Sequence, residues 1–250
     1  MSESLTTRDM EDYAEQYQKL PFESIQNSYR RKVVLREVER YSPKRLLEIG
    51  CGMLPLFTDL SDDVEGTVVE PTARFVENAR RLAGDRSNIE VVQSFVEDWQ
   101  PTATEWDVIV LSCVLHEVPD PVAMLHAIKR LCGPNTVLHV NVPNALSLHR
   151  LLAVAMGLIA TPTSPSLTQR TMQQRDTPYD AKTLETELVQ SGFSVIDRGS
   201  LFIKPFTHGQ MQSLVDQKFM TVEMLDGLHK LVSWMPEFGS EIWLNAKKLP

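Results

Sequence analysis

The feature that most constrains this chain is the run Lys44-Arg45-Leu46-Leu47-Glu48-Ile49-Gly50-Cys51-Gly52. A short apolar strand ends in an acidic residue and passes at once into two glycines. A strand that stops on Gly-x-Gly brings bare backbone close to a ligand, because a Cβ at either glycine would block the approach. Glu48 falls at the carboxyl end of that strand, the edge at which open α/β sheets bind ligands. Twenty residues after Gly50, a second strand, Gly66-Thr67-Val68-Val69-Glu70-Pro71, also ends in an acid. An acid there is placed to accept hydrogen bonds from ribose hydroxyls. The pair of strand ends points to a nucleoside-containing cofactor.

These residues resemble the class I S-adenosylmethionine-dependent methyltransferases, whose first motif has the form acidic-x-Gly-x-Gly-x-Gly. Glu48, Gly50 and Gly52 match it, and Leu54 stands where the third glycine falls. The resemblance continues at Glu70. It continues again from Trp106-Asp107-Val108-Ile109-Val110-Leu111-Ser112 through Cys113-Val114-Leu115-His116-Glu117 to Pro121, which is similar to the family's fourth strand and the loop after it. A nicotinamide-binding Rossmann domain would also accept Gly50, Gly52 and the later acid. It wants a further glycine at position 55, where Pro55 stands, and the acid directly before Gly-x-Gly favours the methyltransferase.

The resemblance implies a Rossmann-like, doubly wound α/β fold of seven strands, mostly parallel with an antiparallel last strand. The residues agree with it. Strands are expected near 44–49, 65–70, 89–94, 106–112 and 135–142, with helices near 55–60, 72–84 and 119–131. Such alternation argues for a parallel sheet covered on both faces. Pro119 and Pro121 suit a helix start, and Gly133-Pro134 a stop. The expected organisation is one domain. Residues 1–42 form a helical lid broken at Pro21, 43–145 the cofactor-binding core, and 146–250 the substrate side. That last part holds a helix over 146–159, a long polar loop over 161–178, a helix at 180–191, edge strands at 193–197 and 241–246, and a helical insertion over 205–238.

Composition bounds the function. Twenty-five Lys and Arg against thirty-three Asp and Glu give a net charge of −8, a poor balance for sequence-blind nucleic-acid binding, which needs a cationic surplus. The basic cluster Arg30-Arg31-Lys32, Arg36 and Arg40 reads as a solvated helix face. Three scattered cysteines give neither a zinc signature nor a disulfide framework, and read as small apolar residues. The longest apolar run, Leu151 to Ala160, is about half a membrane span. A polar N-terminus unlike a signal peptide leaves a reducing cytoplasm as the simplest compartment. No nucleic acid and no membrane are expected as partners; a homodimer is compatible with the sequence.

By resemblance, Glu48 and the turn Gly50-Cys51-Gly52, with Leu111 and Ser112, hold the methionine end of S-adenosylmethionine, and S-adenosylhomocysteine is the product. Glu70, followed by Pro71, takes the ribose. Phe95 and Val96 flank the adenine, since aligning Glu97-Asp98 with the family's acidic pair puts Phe95 where an acid usually falls. Methyl transfer from a sulfonium depends on alignment, and a hydroxyl acceptor gains from a base. His116, just past the fourth strand, is the first candidate, with His149 and His208 as competitors. Tyr13, Tyr17, Phe22, Arg150, Tyr179 and Lys204 are candidates for acceptor binding. Asp120, Asn141 and Asn144 depart from the spacing of the metal cluster in catechol-type members, so no metal is expected. The segments Asn141 to Ile159 and Phe202-Ile203-Lys204-Pro205 further resemble methyltransferases of surface-polysaccharide or natural-product pathways. They favour O-methylation of a sugar-like or metabolite hydroxyl, with amine N-methylation and a non-catalytic binding partner as the rival readings.

Overall fold

A computed structural model describes residues 20–101, 105–164 and 178–249. Seven strands form one sheet in the order β3-β2-β1-β4-β5-β7-β6. They are β1 (Arg45–Ile49), β2 (Glu65–Glu70), β3 (Ile89–Gln93), β4 (Val108–Ser112), β5 (Val137–Pro143), β6 (Phe193–Leu201) and β7 (Glu241–Lys248). Strands β1 to β5 pair in parallel, and β7 runs antiparallel between β5 and β6. The chain winds outward from β1 to β3, returns to β4 beside β1, and winds the other way. The order therefore reverses between β1 and β4, and that switch point is where doubly wound sheets open a ligand crevice.

The central strands are continuous apolar runs because both faces are covered. Leu47, Ile49, Ile109, Leu111, Leu138 and Val140 enter one large core with Leu125 and Ile128 of helix α3 (Pro121–Leu131). On the other face, Leu46, Val108 and Val110 pack with Val34 and Val38 of helix α1 (Glu23–Glu39). Helix α2 (Ala73–Ala83) buries Phe75, Val76, Ala79 and Ala83, one face at helical spacing. It ends at Gly84 with φ 55°, the left-handed stop that glycine adopts freely. Asp120 caps α3 by accepting from Ala123 N at 2.9 Å, with Pro121 in the first turn.

Two expected helices differ, one on the substrate side and one in the cofactor-binding core. The helix expected over 146–159 is α4 (Leu148–Ala155), with no fully buried residue, and the chain turns out of it before Gly157 at φ 73°. The expected helix at 55–60 is a single 3-10 turn, Leu56–Thr58. Helix α5 (Ala181–Gln190) leads into β6, and the insertion carries α6 (His208–Asp216) and α7 (Val222–Lys230). Capping boxes open α5 at Asp180 and Thr183, and α6 at Thr207 and Gln210. Phe22 and Tyr29 from the N-terminal side share one satellite core with Phe202, Met211, Met220, Leu225 and Trp243. The Tyr29 hydroxyl donates to Asp226 at 2.7 Å, and Phe22 N to Gln212 at 2.8 Å. Helix α1 and the insertion are thus bound together over the carboxyl edge of the sheet.

Candidate active site

At the carboxyl ends of β1 and β2 two buried carboxylates hold the glycine turn. Glu48 accepts from Leu56 N at 2.7 Å. Glu70 accepts from Cys51 N at 3.1 Å through one oxygen and from Thr72 N at 2.9 Å through the other. Burial pushes the Glu48 carboxyl up to about 8, opposed by the Leu56 amide and Arg31 and assisted by Glu70. Burial also raises Glu70, opposed by the backbone amides of Thr72, Gly52 and Cys51. A carboxylate has about four lone-pair sites, so one that holds these three amides keeps a place for a further donor.

The two glycines serve different ends. A Cβ at Gly50, where φ is 75°, would stand 2.5 Å from Val114 Cγ2. Gly50 therefore answers to the β4 loop, a demand that the motif alone did not suggest. A Cβ at Gly52, φ 54°, would meet no atom within 4 Å. That side of the turn is open, and a ligand can lie against its backbone. Leu54, in place of the third glycine, is exposed. Its carbonyl and that of Pro55 accept from Arg31 at 2.7 and 2.8 Å. Arg31 also reaches Thr58 and Asp59. Of the other residues expected here, Phe95 is half exposed and presents a ring face, while Val96 and Leu111 are buried in the main core and offer only backbone. Pro71 and Ser112 are half-buried beside the two strand ends.

A second polar group fills the carboxyl edge between β4, β5 and β7. The Arg30 guanidinium forks onto Glu241, the first residue of β7, at 2.8 and 2.7 Å. Gln26 donates to Glu241 at 2.9 Å and to Ser240 at 2.6 Å. Asn141 donates to Glu241 at 3.0 Å and to Cys113 at 3.3 Å, and the Cys113 thiol reaches Glu241 at 3.5 Å. Burial alone would raise the Glu241 carboxyl; the charge and hydrogen bonds of Arg30, with Gln26, hold it below the usual range. Arg30 also pairs with Glu23 at 3.0 Å. Arg30 and Arg31 therefore depart from the solvated face expected of the basic cluster on α1, while Lys32, Arg36 and Arg40 are exposed as expected, and Cys113 is a member of a polar network.

Lys204 and two of the expected histidines adjoin this network. Lys204 Nζ lies 2.9 Å from His208 Nδ1, and His208 Nε2 lies 3.6 Å from Glu23. Burial, then Lys204, His208 and Arg150, hold the His149 imidazole far below its usual range. An imidazole so hard to protonate is a weak proton acceptor. His116 follows in the turn after β4, buried, its Nε2 3.5 Å from Glu117 and its Nδ1 without a hydrogen-bond partner.

Other expected residues are engaged elsewhere. Tyr179 is a core residue whose hydroxyl donates to Glu187 at 2.8 Å, and its backbone carbonyl accepts from Ala145 N. Phe22 is buried in the satellite core, its ring edge toward His208. Arg150 donates to the Pro162 and Ser164 carbonyls. Asp120 is a helix cap, and Asn144 donates to the Glu237 and Gly239 carbonyls. Tyr13 and Tyr17, and most of the loop expected over 161–178, lie outside the described residues. Arg30, Gln26, Cys113, Asn141 and Glu241 were missed as a group. The one signal was Glu241 itself, an acid opening an otherwise apolar strand.

A doubly wound sheet with acids at two neighbouring strand ends and an open glycine turn between them defines a nucleoside-cofactor enzyme. Residues 25–198 match the model of a methyltransferase domain family, and the chain belongs to that family: it is a class I methyltransferase whose cofactor is S-adenosylmethionine. No curated protein sequence matches the chain. Among solved structures it is similar to the N-methyltransferase NodS of Bradyrhizobium japonicum WM9 in complex with S-adenosylhomocysteine. The identity there is 14%, with 96% of this chain and 99% of that one covered and a TM-score of 0.56. It is also similar to the plantazolicin methyltransferase BamL with a triazolic desmethyl analog and S-adenosylhomocysteine, at 17% identity, 96% and 91% coverage and TM-score 0.61. A third is the O-methyltransferase NcsB1 from neocarzinostatin biosynthesis, at 16% identity, 84% of this chain, 50% of that one and TM-score 0.51. At these identities the likeness is one of fold.

Proposed function

We propose that the protein transfers the methyl group of S-adenosylmethionine to a hydroxyl of a small molecule such as a sugar or natural product. The observation that carries this is the open Gly52 turn flanked by Glu48 and Glu70, with a buried polar cluster at the ends of β4 and β5. When bound, the cofactor supplies an electrophilic methyl group on a positively charged sulfur. Glu70 takes a ribose hydroxyl at its remaining place, Phe95 gives the adenine a face, and the backbone of 50–52, 111 and 112 holds the methionine end. Glu48 balances its positive charge.

The acceptor binds against the polar cluster of Gln26, Arg30, Asn141, Lys204 and His208. There Asn141 Oδ1 and Gln26 Oε1 are buried acceptors without a donor, a costly state that a ligand hydroxyl relieves. His116 positions the acceptor from the β4 loop. N-methylation is the second reading, since the fold carries both chemistries in its solved relatives: one is an N-methyltransferase and another an O-methyltransferase.

The test is turnover of methyl-labelled cofactor with pools of sugars, phenols and amines, read by mass spectrometry. Label on hydroxyl oxygen is expected. Label on nitrogen favours the second reading. Calorimetry that detects no binding of S-adenosylmethionine overturns the cofactor site.

A further inference from the structure

Lys204 is 2% exposed and follows the carboxyl end of β6, so it stands at the ligand edge of the sheet. A buried ammonium ordinarily has a carboxylate of its own, because unpaired charge in the interior is expensive. Lys204 has an imidazole instead, His208 Nδ1 at 2.9 Å. Glu241 and Glu23 are the carboxylates whose charge reaches it, and Arg30 already binds both. Among the described residues, the other charged or titratable groups facing this cluster are Arg30 from α1, His149 and Arg150 from α4, and the Cys113 thiol, which burial raises well above its usual range. Burial, with Arg30 adding to it against the two carboxylates, lowers the Lys204 ammonium to about 8.

The geometry also orients the amine. Lys204 Nζ lies 2.9 Å from His208 Nδ1 and 3.4 Å from its Nε2, against the ring, and Glu23 faces that Nε2 at 3.6 Å, so the ring and the carboxylate together fix where the amine stands. A neutral Lys204 that donates one N–H to His208 turns its lone pair away from that ring. The same cluster holds Asn141 Oδ1 and His149 Nδ1, buried and without a hydrogen-bond partner among the described residues.

We propose that Lys204 is the general base of the reaction, that His208 and Glu23 position its amine, and that the acceptor is therefore a hydroxyl compound. This deepens the reading of the preceding section and rests on it. The hydroxyl oxygen forms the new bond to the methyl carbon as the methyl–sulfur bond breaks and leaves its electron pair on sulfur. The hydroxyl proton passes to the Lys204 Nζ lone pair. A neutral amine acceptor is nucleophilic already and needs no such base for attack.

The test uses the full chain with S-adenosylhomocysteine, nitrogen-labelled at lysine, and follows Nζ resonances by NMR between pH 6 and 11. Lys204→Met assigns the signal. Deprotonation near pH 8 is expected, with a shift toward the ordinary lysine range in His208→Asn if the ring orients the amine. A Lys204 that stays an ammonium above pH 10 overturns the proposal. In turnover with the pools above, Lys204→Met should lower kcat by ~10²–10⁴ with cofactor affinity unchanged, and the acid limb of the wild-type pH profile should match the NMR midpoint. Label found on nitrogen, or full turnover in Lys204→Met, also overturns it. Failure of the wild type to bind S-adenosylmethionine sinks the preceding reading while the Lys204 titration is still read.

Discussion

Arg30 and Glu241 form a two-pronged buried ion pair, Nε to Oε2 at 2.8 Å and Nη2 to Oε1 at 2.7 Å, between helix α1 and the first residue of β7. Both side chains are more than nine-tenths buried. Removing one partner leaves the other as an uncompensated buried charge, which costs about 3–5 kcal/mol. Arg30→Met should therefore lower the melting temperature strongly. The double change Arg30→Met with Glu241→Met should recover much of the loss, because the more deeply buried carboxylate goes with its partner and only Glu23 is left without Arg30. A double variant no more stable than Arg30→Met alone would show that the pair is not an isolated electrostatic unit. Turnover should stay impaired in both, since Asn141, Gln26 and Cys113 take their orientation from Glu241.

Glu70 holds the loop through Cys51 N and Thr72 N and, in the proposed reading, the ribose as well. Glu70→Gln keeps an oxygen for one backbone amide but loses the charge and one acceptor. Losing a charge-assisted pair costs ~1.5–3 kcal/mol, or roughly 10- to 150-fold in affinity. Calorimetry with S-adenosylhomocysteine should read that loss in a folded variant. Unchanged affinity would remove Glu70 from the ribose site.

The two glycines of the turn should separate stability from binding. Gly50→Ala meets Val114 and a left-handed backbone together, so it should destabilise the fold, and Val114→Ala should restore part of the loss. Gly52→Ala carries only the backbone cost of ~1–2 kcal/mol, since its Cβ enters open space. Its melting temperature should fall less while its affinity for S-adenosylhomocysteine falls more. The reverse order would mean that the ligand does not lie against Gly52.

The core was legible because its signals are local. Continuous apolar strands, Asp120 before Pro121, and acids at the ends of β1 and β2 each fix an element without help from distant residues. The cofactor side followed from these, Glu48 and Glu70 above all. The polar cluster proposed to bind the acceptor was not legible, because residues distant in sequence build it. Gln26 and Arg30 come from α1, Asn141 from β5 and Glu241 from β7, and no spacing in the chain announces that they meet. Arg30 read as a solvated charge because its neighbours are basic, and only the packing of α1 over the sheet edge brings it to Glu241. Tyr179 misled in the opposite sense: an aromatic hydroxyl after a polar loop resembles a substrate contact, yet the ring fills the main core and the hydroxyl has Glu187.

Glu48 should tie stability and cofactor affinity to pH in opposite directions. Its carboxyl lies at about 8 in the folded chain against an ordinary 4.5. Between those values the folded state keeps a proton that the unfolded chain has released. Its stabilising contribution is therefore complete below about 4.5 and lost as pH rises through about 8. Glu48→Gln is neutral throughout, so its melting temperature should fall less than that of the wild type between pH 6 and 9. A slope from Glu70, also raised, should remain. The positively charged cofactor favours ionised Glu48, so wild-type affinity for S-adenosylmethionine should rise with pH across the same window, with a proton released on binding. Calorimetry in two buffers of different ionisation enthalpy reads that proton directly. In Glu48→Gln the release and the rise should shrink together. Equal proton release in the two proteins would place the coupled proton on another group, and Glu48 would then serve only to hold the Leu56 amide.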